Sequence, residues 1–290
     1  MKTKAGRLPD PGTTHRIGSV RWRVAPGEEA FLQAARALRY DDRASVPGLE
    51  LLKDARNVFW GRLRRDDGDW FVKGKRVRGW RRRLATLGRP SELRVEWKKT
   101  WWLRARGVAT ADPVAVGERR WLGALVEEHL AFRWAPGALN LLEFLLAKEA
   151  SLPAGGFRRI RRRAGGLLGS LLGRLHAVGA YHRQFHDRNI LVLEGGADGF
   201  RMVPIDLDHL TTSDRLDEAD RDWNFHQLAW HLRRTIERWR PQSADVGRFL
   251  RGYHREDPSA ARTWKELYRR FQRVVPREPP AERPKKPKRP

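Results

Sequence analysis

Leu175-His176-Ala177-Val178-Gly179-Ala180-Tyr181-His182-Arg183-Gln184-Phe185-His186-Asp187-Arg188-Asn189-Ile190-Leu191-Val192 is the stretch on which the fold turns. An apolar-periodic helix runs into it over Arg158 to Val178, with Ile160, Ala164, Leu167, Leu168, Leu171, Leu175 and Val178 on one side. Gly179 is the stop signal that such a helix needs. A His-Arg pair follows, and Asn-Ile-Leu-Val begins seven residues after His182. Ile190 to Leu193 and Arg201 to Ile205 then read as two short apolar strands around a Gly195-Gly196 turn.

Downstream, Val203-Pro204-Ile205-Asp206-Leu207-Asp208 places an aspartate at the end of a buried strand, 17 residues after Asn189. Upstream, Val20 to Val24 alternates as a half-buried strand does, and Gly27 to Tyr40 reads as a short helix. Arg56 to Leu63 and Asp69 to Val72 form two strands joined at Asp66-Asp67-Gly68. Trp70-Phe71-Val72-Lys73 ends the second of them in a lysine. Ser91 is an N-cap for a helix to about Arg104, on which Leu93, Trp97 and Trp101 make one apolar stripe. Glu96 lies beside that stripe, 23 residues after Lys73. An inward carboxylate needs a partner, and Lys73 is one; Lys99 and Arg104 are the surface alternatives. Gly117 to Glu128 reads as a strand pair, and Leu139 to Ala147, Arg221 to Arg238 and Ala261 to Phe271 as helices.

Strands come first and helices second. The expected fold class is therefore α+β and bilobal, with a small β-rich N-lobe and a larger helical C-lobe. The expected boundaries are a flexible N-terminus at 1–18, an N-lobe at 19–129, a helical C-lobe at 130–275 and a disordered basic, proline-rich tail at 276–290. The chain has no cysteine, which excludes disulfides, thiolate metal sites and cysteine nucleophiles. No apolar run approaches the roughly 20 residues of a membrane span. No secretory signal is recognisable, so a cytoplasmic protein is expected. With 60 basic and 35 acidic residues the formal charge is +25, which suits a polyanionic partner or reflects an arginine bias spread over the surface. Most of the 13 tryptophans fall at helix-periodic or strand positions, so they read as core. Nucleic acid therefore ranks last among the partners considered.

The segment from His182 to Asn189 resembles the catalytic loop of protein kinases, H-R-D-x-x-x-x-N. Asp206-Leu207-Asp208 replaces the Asp-Phe-Gly of ordinary protein kinases. That Asp-x-Asp form, Arg89-Pro90-Ser91 ahead of Glu96-Trp97, and the linker Gly107 to Glu118 are similar to the lipopolysaccharide kinase (Kdo/WaaP) family, over roughly residues 49–235. The resemblance implies an ATP- and Mg2+-dependent kinase that phosphorylates a sugar hydroxyl of the lipopolysaccharide core or a related glycan. It implies that Lys73 contacts the nucleotide phosphates and Glu96 holds Lys73. Asn189 and Asp206 bind Mg2+, and Glu127 to His129 lie near the hinge over the adenine. The implied partner is lipopolysaccharide core or a related anionic glycolipid, met by a monomer in peripheral contact with the inner membrane.

The sequence departs from the family where it matters most. Gln184 stands at the position of the catalytic aspartate, five residues before Asn189. Glutamine can orient a hydroxyl but cannot take its proton. The catalytic candidates are therefore Gln184, Asp187 and His182, with Asp187 the nearest replacement base or else a cap for loop amides. The alternative is a pseudokinase that binds nucleotide or glycolipid without transfer. Gly61 is the lone glycine of the stretch 56–61 that would cover the nucleotide, and His209 stands where the family often has arginine.

Overall fold

The computed structural model describes residues 8–195, 199–214, 216–235 and 243–274. The basic stretch at 276–290, the first seven residues and Gly196 of the expected turn lie outside these. The chain divides into two compact units, one of residues 6–136 with 206–208 and one of 137–205 with 209–290.

The first unit is built on an antiparallel sheet of seven strands: β1 (Thr13–Ile17), β2 (Val20–Val24), β3 (Leu49–Ala55), β4 (Val58–Arg65), β5 (Gly68–Arg76), β6 (Pro113–Trp121) and β7 (Ala124–Arg133). Their spatial order is β1-β2-β6-β7-β5-β4-β3. Three helices accompany it: α1 (Phe31–Ala35), α2 (Trp80–Leu84) and α3 (Glu92–Arg104). β1 falls where a loose N-terminus was expected. Its side chains are mostly exposed, so no apolar alternation announces it; pairing along the edge of β2 orders it. The helix expected over Gly27 to Tyr40 is only the five residues of α1, after which turns carry Leu38 and Tyr40 into the core. β7 runs on to Arg133, past the boundary expected at 129.

The two faces of the sheet have different jobs. On one, Trp22, Phe31, Phe59 and Trp70 form an aromatic core. A single cross-strand row runs through it: Trp22 opposite Gly117, Gly117 opposite His129, His129 opposite Gly74, Gly74 opposite Phe59. A Cβ at Gly74 would stand 2.1 Å from the Phe59 ring and one at Gly117 2.7 Å from Trp22. The two glycines thus let the flanking rings lie over the sheet against His129, 5.6 Å from Trp22 and 6.1 Å from Phe59 by centroids.

The other face carries α3. Leu93 and Trp97 bury fully against Val116 and Leu130. The Ser91 side chain accepts from Arg94 N–H, the N-cap that the sequence announces. Two sheet carboxylates complete the docking: Glu128 accepts the Leu93 N–H at 2.7 Å and Glu118 the Ser91 N–H at 3.4 Å. The positive end of the helix dipole meets buried negative charge there. Burial, partly offset by these amides, pushes the Glu128 carboxyl up to about 7.

The second unit holds β8 (Leu139–Asn140), α4 (Leu141–Ser151), α5 (Ala154–Ala177), β9 (Ala180–His182), β10 (Ile190–Glu194), β11 (Phe200–Pro204), β12 (Leu210–Thr212), α6 (Glu218–Thr235), α7 (Ser243–Glu256) and α8 (Trp264–Val274). Asn140 and Glu143 close a capping box at α4. α5 buries Ala164, Leu168, Leu171 and Leu175, as its periodicity requires. It meets α7 through Gly169, where a Cβ would lie 1.9 Å from the Phe249 carbonyl oxygen, so no other residue permits this approach.

The Glu128 shift fixes a pH dependence. A carboxyl whose folded pKa exceeds its unfolded value loses stability as pH rises from about 4.5 to about 7. Glu128→Gln should therefore be more stable than wild type at pH 8, by on the order of 3 kcal/mol, and indistinguishable near pH 4. Thermal melts of both proteins across this range measure it; a constant difference at every pH would refute it.

Candidate active site

Lys73 sits inside β5, three residues before its end, and not at the strand terminus that its sequence context suggests. β-strand alternation turns it to the α3 face, where it is 7% exposed. Its ammonium contacts Glu96 Oε2 at 3.1 Å and Asp206 Oδ1 at 2.6 Å. Glu96 is 4% exposed, held inward by the same helical phase that buries Leu93 and Trp97. Arg104, the surface alternative, pairs with Asp112 instead. Burial opposes the charge on Lys73, but the two carboxylates outweigh it and raise its pKa above the ordinary lysine value. Burial also raises Glu96, with Asp206 and Asp208 adding to the effect and Lys73 opposing it.

Asp206 adopts φ 60°, a left-handed backbone that is uncommon outside glycine. Such conformations persist where surrounding contacts over-determine them, and the Lys73 contact is one. Carboxylate oxygens of Asp206 and Asp208 lie within 4.8 Å of each other. Two hard oxygen donors at that separation fit Mg2+, which takes one or two carboxylates and keeps several waters. Lys99 donates to the Asp208 carbonyl oxygen at 2.7 Å. Burial brings its pKa down to about 8 against the pull of Asp208 and Glu96. From the sequence Lys99 is a surface partner for Glu96; the structure sets it on the Asp208 carbonyl instead, and its place three residues after Glu96 on α3 is the local signal for that.

The loop between β9 and β10 is fixed from several sides. Backbone N–H of Gln184 donates to His182 Nδ1 at 3.2 Å, so Nε2 carries the ring proton and donates to the Ile205 carbonyl oxygen at 3.0 Å. His182 is fully buried with both nitrogens engaged. It is a strut joining the loop to the segment before Asp206, which corrects its expected place among the catalytic groups. From α6, Asn224 donates to the His182 carbonyl oxygen at 2.6 Å, and Gln227 accepts from Phe185 N–H at 3.2 Å. His176 ties Asn224 to Tyr253 of α7 and is held neutral by burial, its pKa lowered to about 3. Asn189 Nδ2 donates to the Gln184 carbonyl oxygen at 3.0 Å.

Gln184 itself is exposed. Asp187, the expected replacement base, is 1% exposed. Its carboxylate oxygens have no hydrogen-bond partner among the described residues, and His186 Nδ1 is 3.8 Å away. At that exposure it is closed to solvent, whereas Gln184 is open to it. Ligand atoms of His186, Asp187 and His231 lie within 4.8 Å of one another, a second grouping with metal-type donors.

Glu127 and His129 are also corrected. They alternate with Glu128 and Leu130 along β7, and Leu130 is the residue opposite Lys73. Glu127 and His129 therefore face the aromatic core, both fully buried, and Glu127 pairs with Arg119 at 3.0 Å. They sit mid-strand on the wrong face to meet a nucleotide held by Lys73.

The family model for the lipopolysaccharide kinase (Kdo/WaaP) family matches residues 58–253, more than half of the chain. The chain belongs to this family. WaaP solved in complex with acyl carrier protein is similar over 88% of this chain and 94% of its own, with 23% identity and a TM-score of 0.59. That likeness supports the protein-kinase-like fold. A rhoptry antigen kinase domain of Toxoplasma gondii is similar over 78% of this chain and 81% of its own, at 12% identity and a TM-score of 0.44. No curated protein matches the chain in sequence.

The buried Lys73–Glu96 pair should behave as such pairs do when cut. Glu96→Ala should cost roughly 3 kcal/mol, whereas Lys73→Met combined with Glu96→Leu should recover most of it. Urea unfolding of the single and double variants measures both; a Glu96→Ala variant as stable as wild type would contradict the buried contact.

Proposed function

We propose that this Kdo/WaaP family member is an ATP- and Mg2+-dependent phosphotransferase acting on a sugar hydroxyl of the lipopolysaccharide core or a related anionic glycan. The observation that carries the reading is the Lys73 ammonium shared between Glu96 and Asp206. Phosphoryl transfer is mostly positioning and charge stabilisation, and a lysine fixed at this point is what a nucleotide's phosphates require. Asp206, joined by Asn189 as the family pattern has it, would hold Mg2+, and the ion would neutralise phosphate charge. With nucleotide bound, Lys73 would exchange its contact with Asp206 for the phosphates while Glu96 keeps it in place. Lys99, its pKa lowered by burial to about 8, adds positive charge beside Asp208. Exposed Gln184 would orient the acceptor hydroxyl through its amide oxygen, and the hydroxyl proton would leave to solvent or to the phosphate. A loose transition state makes that tolerable, because little proton transfer is needed before the phosphoryl group moves. Acyl carrier protein accompanies WaaP in its solved structure, so a carrier-protein partner belongs to the same proposal. So do a monomeric chain and a cytoplasmic location against the inner membrane.

A second reading, a pseudokinase that binds without transfer, is favoured by one pair of observations: Gln184 replaces the base, and Asp187 is too buried to substitute for it. The two separate in one set of measurements. Mg-ATP should raise the melting temperature of wild type at millimolar concentration and do so much less for Asp206→Ala. Phosphate transfer from ATP to a panel of core oligosaccharides should be slow in wild type and rise by roughly 10²-fold in Gln184→Asp. Binding without transfer in both proteins establishes the pseudokinase. No shift with either ATP or GTP removes the nucleotide site.

A further inference from the structure

Among the described residues, seven large apolar side chains are exposed, and five of them lie in one part of the first unit. Trp80, Leu84 and Leu87 belong to α2 and the turn after it, at 67%, 51% and 44% exposure. Trp121 and Leu122, at 67% and 80%, form the tip of the β6–β7 hairpin. The two segments are joined. Leu125 N–H donates to Thr86 Oγ1 at 2.8 Å, and the Arg120 guanidinium bridges the carbonyl oxygens of Arg89 and Gly123 at 2.8 and 3.0 Å. A Cβ at Gly123 would lie 3.4 Å from the Leu87 side chain. The two segments are therefore neighbours, with Leu87 beside the hairpin tip.

The hairpin tip is built against local preference. Trp121 pairs with Ala124, leaving a two-residue loop in which Leu122 has φ 46° and Gly123 φ 80°. Such loops favour Asn-Gly, because the first position must also be left-handed. Leucine there is strained and gains nothing from burial within the chain, since it is the most exposed of the five. The charge along the α2 segment of this surface is basic, and the first carboxylate after it, Glu92, is paired with Lys75. Residues 77–91 contain five arginines and no acidic residue, and Arg78, Arg81, Arg82 and Arg89 are exposed.

We propose that this surface seats the protein on an anionic lipid bilayer, with Trp80, Trp121 and Leu122 entering the headgroup boundary and the arginines meeting lipid phosphates. Tryptophan's amphipathic ring favours that boundary, and each basic side chain near an anionic leaflet adds attraction. Neither feature suffices alone: apolar area and headgroup electrostatics together set the strength of interfacial binding. A second copy of the chain is a poorer occupant, because two such surfaces would bring like charges face to face. No helix among the described residues is long and apolar enough to cross a membrane, so the contact is with the surface. The proposal extends the reading of a glycolipid acceptor, but its test reads partitioning and not turnover, so the two can fail separately.

The experiment is co-sedimentation of the full chain with vesicles of equal parts phosphatidylglycerol and phosphatidylethanolamine, against vesicles of phosphatidylcholine. Two double variants are compared with wild type: Trp121→Ser with Leu122→Asn, and Arg81→Gln with Arg82→Gln. Asparagine suits the turn, so the first variant should melt no lower than wild type. Wild type should bind the anionic vesicles and hold phosphatidylcholine poorly. Each variant should partition roughly tenfold less. Unchanged partitioning of both variants, or wild-type binding indifferent to lipid charge, overturns the proposal. So does light scattering that shows a dimer which the Trp121→Ser, Leu122→Asn variant dissolves, for the surface then serves a second copy.

Discussion

A lysine ammonium taken almost wholly out of water is the constraint around which the first unit is arranged. Lys73 keeps its charge only because Glu96 and Asp206 reach it, at 3.1 and 2.6 Å. Removing an ion from water costs several kcal/mol, and only close, well-directed counter-charges repay it. Each partner must then be fixed in turn. Glu96 is fixed by the phase of α3, and Asp206 approaches Lys73 from a left-handed backbone. Two carboxylates around one cation leave a locally net negative cluster.

α3 would be a poor ruler if it could slide. Its register is set by Leu93 and Trp97 on the sheet and by the sheet's own Glu118 and Glu128 at its first amides. Burying two carboxylates beside each other is expensive. Arg94 and Arg120 offset the cost at Glu118, while Glu128 remains the less compensated of the two. This is stability given up for position, a common feature of elements that carry a functional side chain.

In the second unit the same role falls to a buried hydrogen-bond network around Tyr253 that includes the Arg221–Asp257 ion pair. His176, Asn224 and Tyr253 link three helices, and Asn224 passes that order to the loop at the His182 carbonyl oxygen. A buried histidine whose pKa burial lowers to about 3 stays uncharged, and its hydrogen bonds intact, at neutral pH. The loop that carries Gln184 and Asn189 is therefore held by its backbone, which leaves the exposed Gln184 side chain free to vary without unseating the rest.

Local signals in the sequence determined a good deal. Ser91 as N-cap, the Leu93–Trp97–Trp101 stripe, the turn ahead of β5 and the long α5 all depend on near neighbours, and each lies where its pattern places it. Glu96 facing inward follows from helical period alone. α7 carried a legible signal in Val246, Phe249, Leu250 and Tyr253 at helical spacing, though glycines at 247 and 252 obscure it. Other features had no local signature. β1 exists because β2 offers an edge. Glu127 and His129 lie on the face away from Lys73 because register across β5 and β7 sets Leu130 opposite it, and a one-residue change of register would exchange the faces. His182 is a strut because of groups 23 and 42 residues away along the chain. Residue types and short-range period decided which chemistry the chain contains; which of those groups can reach a substrate was decided by pairings between distant strands and helices, whose free energy no local window of sequence contains.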